Sequence, residues 1–403
     1  GRRAAADIRP AIVESSLRAG GGRAAGCALE QERRGMTRRD YSEIPRGEFG
    51  FINLLRGPAA LLVVYSHFVG QYLSWTHQTY WLKRWVDALF EKPMVIVDHF
   101  GQLGVMVFFL ISGFIITHVA RSENPLRFSI RRVFRIYPAY WLVVAVVIGF
   151  GLFDRPFDYG ALHDWRYVLR IATITNYLHE PQNVVLGVAW TLQIEVMFYA
   201  LVACVTPLIR RRPLVALCVE LAFVYAVIAS AHRAGPDWFL FAANVAYLPY
   251  LLIGQAIYFY WAGGLNGPRA LALGWLAYFA AVYGVWNIHI EFLDPSHSRI
   301  LGLIFALGIF VWAMNYGHRI GLMRVPRFLS DISYSLYLVH GPVGLSMIED
   351  LRARIGYGNA AALALVTSLA LAYIIHRFIE RPFIEMGRRL SNRFKKTPQI
   401  APA

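Results

Sequence analysis

Arg56-Gly57-Pro58-Ala59-Ala60-Leu61-Leu62-Val63-Val64-Tyr65-Ser66-His67 sets an arginine and a histidine at the ends of ten uncharged residues. The apolar run around them, 51–71, has the length that crosses ~30 Å of hydrocarbon as one helix. At about 100° per residue, eleven positions make three turns plus ~20°, so Arg56 and His67 share one helix face, ~16 Å apart along the axis. An ionisable group in hydrocarbon is costly, and two on one face mark a membrane helix that carries chemistry. Plainer readings of the pair are a snorkelling arginine and a hydrogen-bonded packing histidine.

Outward from this helix, segments of similar length recur at 100–120, 137–153, 188–209, 213–231, 238–261, 270–287, 300–316, 328–348 and 359–376. The expectation is an all-α polytopic membrane protein of about ten transmembrane helices. Composition agrees. The chain has 403 residues, 57% hydrophobic and only 16% charged, with a mean hydropathy of +0.43. A soluble domain carries about a quarter charged residues, and disorder needs low hydrophobicity. Residues 1–50 differ. They form a basic arm rich in Arg, Ala and Gly without the apolar core of a signal peptide. We expect this arm to be disordered, with a true start at Met36, the membrane domain to occupy 51–383, and a cytoplasmic tail to follow over 384–403.

A net charge of +15 taken alone suggests nucleic acid. Sorting the charges by side removes that reading. With the N-terminus inside, the inner segments hold 29 of the 40 Lys and Arg residues and the outer loops ten. The excess is orientational and puts both termini in the cytoplasm. Cys27, Cys204 and Cys218 show neither CxxC nor Cys/His spacing, so no disulfide framework and no metal site are expected.

Few ionisable residues fall within the spans: Arg56, His67, Glu195, Glu220 and His340, with Asp331 near an end. Counting ~1.5 Å per residue places His67, Glu195 and His340 between the midplane and the outer face. A histidine beside a carboxylate suits general-base chemistry on a hydroxyl. His340 also fits a packing role, and Glu195 a structural hydrogen bond. Glu220 lies on the inner side, within reach of Arg56. Arg131, Arg132 and Arg135, just before Tyr137-Pro138, lie one helical turn apart and can converge on phosphates. Topology and anionic lipid headgroups account for such a cluster equally well.

Six stretches, in order, resemble motifs of the acyltransferase 3 family of integral membrane O-acyltransferases. Arg56 through His67 resembles its first-span R-x10-H signature. Gly104-Val105 through Phe109, then Ser112-Gly113-Phe114, resembles "GVxxFFxxSGF". Arg132-Val133-Phe134-Arg135-Ile136-Tyr137-Pro138 is similar to RxxR-I-x-P. Trp190 through Glu195, leading to Phe198-Tyr199, is similar to "WSLxxExxFY", with Thr191, Gln193, Val196 and Met197 departing from the usual residues. Ile332 through Leu338 with His340 and Pro342 resembles "ISYSLYLxHxP". Phe378-Ile379-Glu380-Arg381-Pro382 resembles the closing "xxxERP".

The resemblance implies a stand-alone enzyme of the bacterial plasma (inner) membrane, with no permanently bound cofactor and no metal. Such enzymes move an acyl group, often acetyl, from cytoplasmic acyl-CoA to a hydroxyl of a carbohydrate or glycolipid acceptor. It implies His67 as the catalytic histidine with Arg56 assisting, and Arg132 and Arg135 near the donor. Joined to the spacing, it gives a working scheme. Arg132, Arg135 and Arg131 contact the donor phosphates, Glu195 orients His67, and His340, Ser112 or Tyr337 donates to the oxyanion or contacts the acceptor. Two rival readings are a proton-coupled transporter or flippase of a lipid-linked sugar and a scaffold for polysaccharide synthesis. Intramembrane Arg, His and Glu fit the transporter too, but no inverted repeat is visible.

Overall fold

The structure, a computed structural model, describes residues 49–94, 100–152, 158–180, 184–288 and 297–394. The expectations for residues 1–35, Met36 and Cys27 lie outside them. Among the described residues all regular structure is helical. The principal helices are α1 (Gly50–Trp75), α2 (Gly101–Ser122), α3 (Pro125–Phe150), α4 (Trp165–Thr173), α5 (Gly187–Arg211), α6 (Pro213–Ala229), α7 (Pro236–Trp261), α8 (Gly267–Asn287), α9 (His297–Tyr316), α10 (Arg324–Val339), α11 (Ser346–Ile355) and α12 (Tyr357–Asn392).

Seven of these, α1, α2, α3, α5, α7, α8 and α12, are long and apolar enough to cross a membrane. All ten expected segments coincide with helices, yet three fall short of that standard. α6 and the apolar part of α9, Ile300–Tyr316, are shorter. The segment expected at 328–348 covers most of α10 and the turn after it, where Ser330, Asp331, Ser333 and Ser335 dilute the apolar character. α12 runs unbroken past residue 383 to Asn392, so the start of the expected tail is helical.

Local sequence explains the helix ends. The Asn124 side chain accepts from the Arg127 backbone N–H at 2.8 Å, and Pro125 follows as the first residue of α3. Asn266 caps α8 in the same way. A side-chain oxygen here satisfies an N–H that the helix leaves unpaired, and proline loses nothing at the first turn. Gly151 ends α3 with φ of +67°, a conformation a side chain resists.

α7 is the enclosed helix of the bundle. Its apolar stretch is 89% buried, whereas that of α12 is 22% buried and faces outward. α2 packs against both α7 and α1, and α10 covers the other side of α1. The α2–α7 contact is backbone against backbone. A Cβ at Gly113 would stand 1.9 Å from the Leu251 carbonyl oxygen, and one at Gly254 would stand 2.2 Å from that of Leu110. Small residues permit this approach, and van der Waals contact then holds the helices without a hydrophobic driving force.

Two local features bear on the site. α4 lies against α3, where Tyr140, Trp141 and Tyr137 donate to the carbonyls of Ile171, Ala172 and Thr173 at 2.9, 2.9 and 3.2 Å. These carbonyls lie in the last turn of α4, where a helix leaves acceptors unpaired; that of Ile171 also accepts from the Ile174 N–H at 3.0 Å. Second, α1 widens to a π-helix over Ser66–Gln71, α10 continues into α11 through one at His340–Leu345, and α12 contains one at His376–Glu380. Such turns are rare and gather at functional sites. Replacing Gly254 by leucine should force α2 and α7 apart and destabilise the protein by about 3 kcal/mol, by the cost of overpacking. Thermal unfolding in detergent would register this as a lowered midpoint.

Candidate active site

The sequence puts one small patch of polar side chains on each of five helices, and the bundle turns them toward one cavity of about 220 Å³. α1 supplies Arg56, α2 Ser112, α3 Arg132 and Arg135, α5 Thr191, Glu195 and Tyr199, and α10 Tyr334 and Tyr337. Phe108, Ile111, Ile115 and Leu192 complete an apolar wall. On α5 the polar residues recur every four positions, which is one helix face.

Charge is unbalanced in this cavity. Three guanidinium groups line it against one carboxylate, Glu195. Among the described residues none of the three arginines makes an ion pair within 4 Å. Arg132 lies over the rings of Phe128 and Tyr199, at 5.8 and 5.9 Å. Its Nε is buried without an acceptor. A buried, unpartnered donor beside two further guanidinium groups is a site for an anion, because phosphate oxygens accept the fork geometry that arginine presents.

Glu195 does not face the histidines. Its Oε1 accepts from the Tyr199 hydroxyl at 2.6 Å and from Ser112 Oγ at 3.0 Å. His67 instead meets His340, Nδ1 to Nε2 at 2.8 Å, with ring centroids 4.9 Å apart. The expectation that Glu195 orients His67 is thus replaced by a histidine pair. The physical reason is direction: α5 turns the Glu195 face toward α2, whereas α10 packs on α1 and brings His340 to His67.

The pair also sets a tautomer. His340 is fully buried, and its Nδ1 lies 3.0 Å from the Leu336 carbonyl oxygen. A carbonyl only accepts, so in the neutral ring Nδ1 carries the proton and Nε2 is the acceptor. His67 must then donate from Nδ1, which makes Nε2 its basic nitrogen. His67 and His340 are not in the cavity wall. The wall reaches Tyr337, whose ring centroid is 5.9 Å from that of His340. The Tyr337 hydroxyl is held by Thr191 Oγ1 at 2.8 Å and the Val188 carbonyl at 3.1 Å. Of the three candidates for oxyanion or acceptor contacts, Ser112 and Tyr337 line the cavity and direct their protons to protein acceptors, and His340 lies outside its wall.

Two other expectations separate from the site. Arg131 lies off the cavity: it pairs with Glu123 and donates to Ser391 Oγ at 2.8 Å and Asn392 Oδ1 at 3.2 Å. It fastens α3 to the end of α12. Glu220 does not reach Arg56; its Oε2 accepts from Gln255 Nε2 at 2.7 Å within the α6–α7 contact. Thr191, Tyr199 and Tyr334 line the cavity and were missed as site residues. Spacing carried the signal, since Thr191 and Tyr199 stand four residues on either side of Glu195 and Tyr334 three before Tyr337. Among the described residues no group of three His, Cys, Asp or Glu is placed to hold a metal ion.

A family model described as an acyltransferase domain matches residues 49–377. The exopolysaccharide production protein ExoZ of Rhizobium meliloti is 28% identical, over 74% of this chain and 95% of its own length. Nodulation protein 10 of Rhizobium leguminosarum bv. viciae is 26% identical, over 87% and 98% respectively. The O-acetyltransferase OatA of Staphylococcus aureus is 24% identical, and the matched region is 71% of this chain but 53% of OatA. No solved structure matches the chain.

Arg131→Ala should leave the largely buried Glu123 carboxylate without its cation. We expect a loss of about 2 kcal/mol in stability, below the full cost of a buried broken pair because Arg131 is partly exposed. Denaturation in detergent would measure it, while Arg132→Ala, which breaks no ion pair among the described residues, should leave the unfolding midpoint nearly unchanged.

Proposed function

The chain belongs to the acyltransferase 3 family, and we propose that it moves an acyl group, acetyl in the simplest case, from cytoplasmic acyl-CoA to a hydroxyl of a carbohydrate acceptor. It is an integral membrane acyltransferase. A carbohydrate acceptor is supported by the relatives, whose names concern exopolysaccharide production, nodulation and O-acetylation. The cavity supports the donor class: three arginines without ion pairs among the described residues suit the phosphates of a coenzyme A thioester. That cavity beside a hydrogen-bonded histidine pair carries the reading. In this reading the N-terminus and the C-terminus lie in the cytoplasm, and the membrane is the bacterial inner membrane.

The chemistry uses the chain's own groups. The donor phosphates bind Arg132 and Arg135, with Arg56 in the same cavity. His67 Nε2 takes the proton from the acceptor hydroxyl as its oxygen bonds to the thioester carbonyl carbon. His340 Nε2 holds the other side of the ring and stabilises the imidazolium. The carbon–sulfur bond then breaks, and the CoA thiolate takes the proton back from His67. Arg56, ~16 Å from His67 along α1, adds its positive charge to the donor end of the cavity rather than to the reacting carbonyl. Tyr337 stands between the arginine cavity and the histidines, so its ring must yield for the thioester to reach His67.

Purified protein incubated with labelled acetyl-CoA should release CoA and label a glycan. His67→Ala should abolish transfer in a folded protein, and His340→Ala should lower turnover by about 10²-fold, within the range of assisted proton transfer. Arg132→Ala should raise the Michaelis constant for acetyl-CoA by about tenfold and change turnover less, as expected when one charge-assisted phosphate contact is lost. Wild-type turnover in His67→Ala sinks the mechanism, and an unchanged donor constant in Arg132→Ala sinks the donor site.

A further inference from the structure

His67 and His340 each sit in a π-helical turn, and the two turns pack against each other. In a regular helix the Tyr72 N–H would bond to the carbonyl four residues back, that of Phe68. Here it reaches the His67 carbonyl instead. The Phe68 carbonyl takes a hydrogen bond from another element: the Tyr357 hydroxyl, at the start of α12, donates to it at 2.9 Å. The Phe68 ring lies against Gly344, in the turn that carries His340, and leaves no room for a side chain there. A Cβ at Gly344 would stand 2.1 Å from the ring. The Phe68 ring centroid is 6.3 Å from that of His340. Two aromatic rings hold Tyr357 in turn. Tyr72 stacks on it at 5.9 Å, and Tyr80 meets it edge-on at 4.9 Å. Gly356, with φ of +79°, turns the chain from α11 into α12 and sets Tyr357 at that point. Tyr357 lies in none of the six sequence motifs and outside the arginine cavity.

We propose that Tyr357 is a positioning residue: its hydroxyl pins the Phe68 peptide and, with the Phe68 ring seated on Gly344, fixes the angle at which His67 meets His340. The role rests on the reading of His67 as the base. The π register of α1 withdraws the Tyr72 N–H from the Phe68 carbonyl, and the Tyr357 hydroxyl offsets that loss. Without the hydroxyl, regular winding regains an advantage, and it rotates the residues of the turn against their neighbours. The bond between the histidine rings is 2.8 Å long, and such a bond weakens steeply as its alignment degrades. Small displacements of a catalytic group lower turnover even when their origin lies outside the site.

The test is a double-mutant cycle on acetyl transfer, run on the monodisperse fraction of each purified full-length variant. Tyr357→Phe removes one hydroxyl and keeps the ring that stacks on Tyr72. We expect turnover to fall about tenfold, as displacement of a catalytic group does. The Michaelis constant for acetyl-CoA should stay within about twofold of the parent, because no group of the arginine cavity is touched. His340→Ala should absorb the effect. The double variant should turn over within about twofold of His340→Ala alone, since residues that act through one contact are not additive. A residue that only stabilises the fold lowers turnover by the same factor in both backgrounds. Parental turnover in Tyr357→Phe overturns the role, and so does a tenfold loss repeated in the His340→Ala background. Should Tyr357→Phe yield no monodisperse protein, Phe68→Leu decides in the same cycle, because it opens space over Gly344 and leaves the acceptor carbonyl in place. A loss that His340→Ala absorbs supports the role, and an additive or absent loss overturns it. Failure of the base reading shows separately, as parental turnover in His67→Ala.

Discussion

A guanidinium cannot shed its proton at any ordinary pH, so an arginine placed inside a helical bundle brings a permanent charge with it. Arg56, Arg132 and Arg135 share one cavity under that constraint. Their neighbours follow from it. Aromatic faces lie under Arg132, and one carboxylate, Glu195, faces the cavity with them. The wide apolar lining keeps their field from being screened by water. A cluster of like charges held ready in this way is poor structure and good machinery: it is stabilised fully only when an anion arrives.

The proton chemistry stands apart from that charge. His67 and His340 meet where α1 and α10 pack, and Tyr337 divides them from the arginines. This separation lets each half keep its own electrostatics. Had Glu195 bonded to His67, one carboxylate would have had to serve both the base and the cations. The structure assigns it to Ser112 and Tyr199 beside the cations and leaves the base to a neutral partner. The histidine pair fixes direction by a carbonyl, since Leu336 O can only accept.

Much of this was legible before any coordinates. Apolar length located every principal helix except α4, nine amphipathic residues, and α11, ten residues with four charges, both too short or too polar to stand out. The rarity of charge inside apolar runs isolated Arg56, His67, Glu195 and His340, because hydrocarbon tolerates few exceptions. Depth along a helix could be counted, but the face presented to a neighbour could not. That is why Glu195 was set beside His67, Glu220 beside Arg56, and Arg131 among the donor contacts. Each assignment required the rotation of one helix about its axis relative to another, and rotation is set by packing such as the close approach of α2 and α7 at Gly113 and Gly254. Glu380 was visible as part of a motif, but only the fold joins it to Ser335 of α10.

The π-turns carry a consequence for how this sequence is counted. A π-turn is an α-helix with one residue too many, so whatever follows is rotated by about 100° relative to a regular helix. In α1 the phase changes just where His67 sits, at the junction between α10 and α11 just where His340 sits, and in α12 between His376 and Glu380. A periodicity read straight through any of these points assigns the wrong face to everything beyond it. Deleting a single residue within one of them would restore regular winding while swinging the downstream side chains away from their partners. The spacing between motifs in this chain is therefore a matter of angle as much as of distance.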